Sequence, residues 1–151
     1  MRHLLNFLLL IFLPLALLPQ AKAKNSNKCV DVGGWATNNG ANIIQWECTN
    51  SNNQQWDMIP SNDAFMMKHK NSGKCLEVGG WSQDAGANII QWDCHGGANQ
   101  LWEVSSSKDG FKQYRNKHSQ MCLDVAGVSP DNGANIQQWN CHGGEGQQFS
   151  Y

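Results

Sequence analysis

The chain carries little charge and no dominant sign. Of its 151 residues, 15% are Asp, Glu, Lys or Arg, eleven basic against twelve acidic. A surface that works mainly by charge, on nucleic acid or on an anionic membrane, is therefore not expected. Lys68, His69, Lys70 and Lys74 form one local basic group, and Lys108, Lys112, Arg115 and Lys117 another. Both read as solvated strand edges. No helical or heptad period persists along the chain. There is no nucleophile–base motif and no phosphate loop, and Asp57, Asp63, Glu103 and Asp109 read as surface charges. The closely spaced cysteine pairs typical of zinc sites are also missing. Neither catalysis, a metal nor a cofactor is expected.

Long apolar runs are scarce as well. Only Leu4–Leu18 is almost wholly apolar, and Pro14, Pro19 and Gln20 shorten it. A membrane-spanning helix needs about 20 such residues. The run follows a basic start, Met1-Arg2-His3, and precedes Ala21-Lys22-Ala23, small residues two apart as signal peptidase requires. Residues 1–23 are expected to be a cleaved secretory signal, with a signal anchor as the alternative. Cleavage after Ala23 would leave residues 24–151, enough for one core, with nine Lys/Arg against twelve Asp/Glu.

What is abundant is repetition. A 28-residue cassette runs Cys29–Trp56, Cys75–Trp102 and Cys122–Phe149, offset by 46 and then 47 residues. Units about 24–70, 71–117 and 118–151 follow. A unit this small cannot bury its own apolar face, so three must close around a shared core. All six cysteines lie in the cassette. Six cysteines permit 15 pairings, and the threefold repeat selects one: Cys29–Cys48, Cys75–Cys94 and Cys122–Cys141. An oxidising compartment fits the leader, and each closed loop of about 20 residues stabilises by roughly 3 kcal/mol in the chain-entropy model.

Short segments rich in Val, Ile and Trp, separated by Gly/Asn/Ser turns, read as all-β. Strands are expected at Lys28–Val32, Lys74–Val78 and Met121–Val125, then at Asn42–Glu47, Asn88–Asp93 and Asn135–Asn140. A third set covers Gln54–Met58, Gln100–Val104 and Gln147–Tyr151, and a fourth Phe65–Lys70 and Phe111–Asn116. The third unit ends before its fourth strand. With a cut after Ala23, only Lys24–Lys28 could complete it, leaving a poorly closed sheet or an open edge. An open edge invites pairing with another copy. Strand alternation sets Ile43, Ile89 and Ile136 opposite to Trp46, Trp92 and Trp139; the isoleucines suit the core and the tryptophans face outward.

The order Cys-x-Asp-Val, Gln-x-Trp-x-Cys, Asn-Gln-x-Trp resembles the ricin B-chain type lectin repeat, shared with family 13 carbohydrate-binding modules, over nearly all of residues 24–151. The resemblance implies a β-trefoil with three homologous repeats and one internal disulfide in each. It implies a shallow sugar site in each lobe, often for galactose-type sugars. The Asp of the first strand would accept bonds from sugar hydroxyls: Asp31, Asp124, and Glu77 one methylene longer. Trp46, Trp92 and Trp139 would stack on the sugar, and Trp56, Trp102 and Phe149 would fill the core. The family's Gln two before the stacking Trp is matched by Gln137 alone; Ile44 and Ile90 stand there in the other lobes. The family's Asn, which supplies an amide to a hydroxyl, falls on Asn53 and Asn99, with Gly146 in the third lobe. Gln54, Gln100 and Gln147 follow. The first lobe (Asp31, Trp46, Asn53, Gln54) is the most complete, then the third (Asp124, Gln137, Trp139, Gln147), then the second (Glu77, Trp92, Asn99, Gln100).

Trp35 and Trp81 either extend a platform over the sugar or seal the hairpin. His95 and His142 read as solvated turn residues. The expected protein is a secreted, multivalent, non-catalytic lectin whose partners are glycans, with neither nucleic-acid binding nor membrane insertion. The alternatives are a trefoil that has lost sugar binding and serves as a protein ligand or inhibitor, and an accessory subunit of a hydrolase or toxin.

Overall fold

The computed structural model describes residues 18–151; the expected leader up to residue 17 lies outside them. Twelve strands form one continuous sheet. They are β1 (Lys22–Ala23), β2 (Cys29–Val32), β3 (Ile43–Trp46), β4 (Trp56–Ser61), β5 (Ala64–His69), β6 (Cys75–Val78), β7 (Ile89–Trp92), β8 (Trp102–Lys108), β9 (Phe111–Asn116), β10 (Cys122–Val125), β11 (Ile136–Trp139) and β12 (Phe149–Ser150).

The pairing defines a β-trefoil. β1 pairs with β12, β12 with β9, β9 with β8, β8 with β5 and β5 with β4. The circle closes where the Trp56 amide donates to the Pro19 carbonyl at 2.8 Å. Three hairpins, β2–β3, β6–β7 and β10–β11, join this barrel. They meet each other through the bridges Asn42–Ile90, Ile44–Asn135 and Asn88–Gln137. All three disulfides form as the repeat requires, each within one lobe.

The core follows the two-residue period. Val32, Val78, Val125, Ile43, Ile89 and Ile136 are buried from the hairpins, and Trp56, Trp102 and Phe149 from the first positions of β4, β8 and β12. A buried indole must satisfy its N–H. Trp56 donates to the Val30 carbonyl at 3.0 Å and Trp102 to that of Leu76 at 3.1 Å. Gln45, Gln91 and Gln138 tie the lobes together. Each is fully buried and donates to two backbone carbonyls of a neighbouring lobe: Ser129 and Asp131, Ala36 and Asn38, Ser82 and Asp84.

Three sequence expectations change. The third set of strands starts later than expected, because Asn52–Gln54, Ala98–Gln100 and Glu145–Gln147 form 3₁₀ turns. His69 leaves the surface basic group. It is fully buried, its ring 4.6 Å from that of Trp56. The expected open edge is also filled: β12 is paired on both sides, and its partner β1 lies on the leader side of the expected cut.

His69 lends itself to a stability test. Its Nε2 lies 2.7 Å from the Asn53 carbonyl, which can only accept, so Nε2 carries the proton. Burial lowers its pKa, with the Asn53 contact opposing in part. The fold thus favours the neutral ring, and its contribution is complete above the ordinary histidine value near 6.5. That contribution is lost as pH falls from there through the depressed folded value. Urea midpoints of the wild type are expected to drop over this window. In His69→Asn, which copies Asn116 of the second lobe (Nδ2 to the Asn99 carbonyl, 2.9 Å), the drop should shrink. An identical pH profile in the variant would refute the assignment.

Candidate functional site

Each hairpin presents one outward face. The register sets Asp31 opposite Ile44, Glu77 opposite Ile90 and Asp124 opposite Gln137. Trp46, Trp92 and Trp139, two residues further along, share that face. They are 44%, 41% and 41% exposed. Each ring also lies beside a glycine turn of another lobe: a Cβ on Gly133, Gly40 or Gly86 would sit 3.8, 3.9 or 3.6 Å from the respective indole.

The carboxylates are almost wholly buried, because the 3₁₀ turns fold over them. Asn53 Nδ2 donates to Asp31 Oδ1 at 3.0 Å and Gln54 Nε2 to Oδ2 at 2.9 Å. In the second lobe Asn99 Nδ2 and Gln100 Nε2 donate to the two Glu77 oxygens at 2.8 and 3.0 Å. In the third, Gln137 Nε2 and Gln147 Nε2 reach Asp124 at 3.1 and 2.9 Å. A carboxylate has about four acceptor positions, so two remain on each for a ligand. Burial raises the pKa of Asp31, against the lowering effect of Gln54 and Asn53.

These contacts revise the roles assigned to Asn53 and Asn99. Their amide nitrogens are spent on the carboxylate and on the carbonyls of Val32 and Val78. Their Oδ1 atoms are buried without a partner, so what each has left is an acceptor, not a donor. Gln54, Gln100 and Gln147 also donate to the carbonyls of Glu47, Asp93 and Asn140, which makes them positioning residues. The longer Glu77 is held by its Asn and Gln as Asp31 is.

His95 and His142 are exposed turn residues, as the sequence suggests, but each is also fixed beside a carboxylate, which the sequence did not show. The backbone N–H of Gly97 donates to His95 Nδ1 at 2.9 Å, and that of Gly144 to His142 Nδ1 at 2.9 Å. A neutral ring with an accepting Nδ1 carries its proton on Nε2. That Nε2 lies 3.7 Å from Glu77 Oε1 in one lobe and 3.8 Å from Asp124 Oδ2 in the other. Thr49 occupies the position in the first lobe. The glycine is required: a Cβ at Gly97 would sit 2.8 Å from His95 and 2.7 Å from Trp81, and one at Gly144 2.7 Å from His142. The repeated Cys-His-Gly-Gly against Cys-Thr was the available signal.

Trp35 and Trp81 stand beside these groups rather than sealing the hairpins. Both are exposed, and both adopt positive φ, 56° and 55°, uncommon for a bulky residue. In the first lobe Trp35, Trp46, Ile44, Asp31 and Asn53 line a cleft of about 320 Å³. In the second, Trp81, Trp92, Ile90, Glu77 and His95 line one of about 480 Å³. Trp81 is braced by the stacked His95 ring, 13° from parallel, and by His118 edge-on at 5.1 Å. In the third lobe Val128 takes this place, so the wall is lower. The second lobe, placed last on sequence grounds, therefore has the larger of these two clefts.

A barrel of three pseudo-equivalent lobes, each with a carboxylate and an outward Trp on its hairpin, defines a lectin-type β-trefoil. The family profile described as "Ricin-type beta-trefoil lectin domain-like" matches residues 20–92, 61–139 and 98–151, and the chain belongs to that family. Among solved structures it is similar to ThreeFoil, a designed threefold-symmetric protein: 36% identity, 87% of this chain, 94% of that one, TM-score 0.85. It is also similar to 1,3Gal43A, an exo-β-1,3-galactanase from Clostridium thermocellum, at 32% identity and TM-score 0.83. That match covers 87% of this chain but 29% of the galactanase, so it concerns one part of that enzyme. The C-half of the earthworm R-type lectin, solved with GalNAc, shares the fold at 20% identity, 86% of this chain, 93% of that one and TM-score 0.69. No curated protein sequence matches. The family's fold supports a carbohydrate-binding role.

Proposed function

We propose that this protein is a secreted, multivalent lectin for galactose-type glycans that performs no chemistry itself. One observation carries the reading. Each lobe places a buried carboxylate, with two acceptor positions left over, beside an outward indole. A pyranose offers adjacent hydroxyls and an apolar C–H face, and this pair answers both: charge-assisted bonds to the hydroxyls and burial of the face on the ring. The galactose-type preference rests on the relatives, a galactanase and a lectin solved with GalNAc. The three disulfides accord with an extracellular setting. Shallow sites gain by linkage, because a second lobe engages a crowded glycan surface at high effective concentration.

The test is a broad glycan array with the wild type beside Trp46→Ala/Trp92→Ala/Trp139→Ala. Binding of one sugar class that the variant loses supports the reading. Silence from folded, oxidised wild type would replace it with the protein-ligand alternative.

Acid should weaken the first lobe. A Trp92→Ala/Trp139→Ala chain, left with its first lobe, needs Asp31 ionised to accept two hydroxyls. Because burial raises that pKa, binding is expected to fade, as pH is lowered, before an ordinary carboxylate near 3.8 would protonate. Binding that persists down to that ordinary value would show that Asp31 does not accept from the sugar.

A further inference from the structure

Ala21-Lys22-Ala23 reads as a peptidase motif, yet the structure uses it as a strand. The Ala23 amide donates to the Lys28 carbonyl at 2.9 Å and the Asn27 amide to that of Ala23 at 2.8 Å. The same two bonds recur at His69 (from His69 N to Lys74 O, 2.7 Å; from Gly73 N to His69 O, 2.8 Å) and at Asn116 (to Met121 O and from Gln120 N, both 2.8 Å). Ala23 is therefore the third-lobe counterpart of His69 and Asn116. Pro19, whose carbonyl accepts from Trp56, stands where Phe65 pairs with Trp102 and Lys112 with Phe149. Pro19–Ala23 is thus the missing fourth strand of the third lobe, supplied from the other end of the chain.

Its contacts are those of a core element. Ala21 and Ala23 are 0% and 1% exposed. The Ala21 carbonyl accepts from Val30 at 2.8 Å, the Gln20 side chain donates to the Thr49 carbonyl, and Lys22 and Ala23 pair with Ser150 and Phe149. A cut after Ala23 would remove all of these and leave the inner edges of β4, β12 and β2 without the strand that joins them. Buried backbone groups left unpaired are costly.

We propose that proteolytic maturation of this chain leaves Pro19–Ala23 in place, with the processing boundary upstream of Pro19. This rests on the secretion part of the functional reading, and the experiment separates the two. The full chain is expressed in a secreting eukaryotic host, and the intact mass and N-terminal sequence of the product in the medium are read. In parallel, chains beginning at Leu18 and at Lys24 are refolded with oxidation and melted, the second also with a synthetic peptide of residues 18–24 added.

The secreted product is expected to begin at or before Pro19. The Lys24 chain is expected to melt at least about 10 °C below the Leu18 chain, or to stay unfolded, and the peptide to restore part of the difference by strand addition. A secreted product beginning at Lys24, or a Lys24 chain that melts with the Leu18 chain, overturns the proposal. Retention of the uncut chain in cells would sink the secretion reading alone, and the two refolded chains would still decide the strand's role.

Discussion

Replacing Trp46, Trp92 and Trp139 together by alanine is expected to abolish detectable glycan binding and leave a folded protein. Each indole loses the exposed part of its ring as a platform, worth about 2 kcal/mol from burial of a sugar face and its stacking. In a shallow site of about millimolar affinity the whole binding free energy is about 4 kcal/mol, so one such loss weakens its lobe roughly 30-fold. A single substitution leaves other lobes to sustain avidity, and only the triple removes every platform. The fold should survive, because the isoleucines and valines on the opposite face make the core. Each Trp does lie beside a glycine turn of another lobe, so a lower melting temperature is expected, with the trefoil's circular dichroism retained. Retained glycan binding by the triple variant would remove the tryptophans from the site.

The features legible in the sequence were those that depend on local period and on repetition. Alternation along β3, β7 and β11 separated Ile43 from Trp46 correctly, and threefold repetition chose among the disulfide pairings. Features that depend on how the chain closes on itself were not legible. Asn53 looks like a ligand in the motif, and Gln54 beside it like a residue that serves the hairpin. Only the 3₁₀ turn that folds them over Asp31 shows that their donors are already used. His95 and His142 look like turn residues until the Gly97 and Gly144 amides are seen to fix their tautomer and aim Nε2 at a carboxylate. His69 sits between two lysines, and burial against Trp56 is a tertiary fact that no local pattern carries. At the N-terminus two readings share one string: Ala-x-Ala is small enough for a peptidase and small enough for the interior of a barrel.

The largest stability effect is expected from Trp102→Ala. The ring is fully buried at the start of β8, where that strand meets Phe65 of β5 and Asn116 of β9. Removing a core indole costs about 3–5 kcal/mol in transfer and cavity terms, and here it also strands the Leu76 carbonyl that accepts the indole N–H. Against a typical total of about 5–15 kcal/mol, this is enough to place the protein near its unfolding midpoint at modest urea. The third lobe supplies the control: Phe149 fills the same position with no N–H to give. Trp102→Phe should therefore cost less than half as much, a smaller void plus one lost hydrogen bond of about 1 kcal/mol. Urea midpoints of the two variants decide it, and equal losses would mean that the hydrogen bond, not the volume, holds the strand. The consequence reaches the binding face, because Asn99 and Gln100, which hold the Glu77 carboxylate, lie three and two residues before Trp102. A β8 that loses its anchor loosens the turn that organises the second lobe, so glycan binding there should fall before the barrel as a whole unfolds.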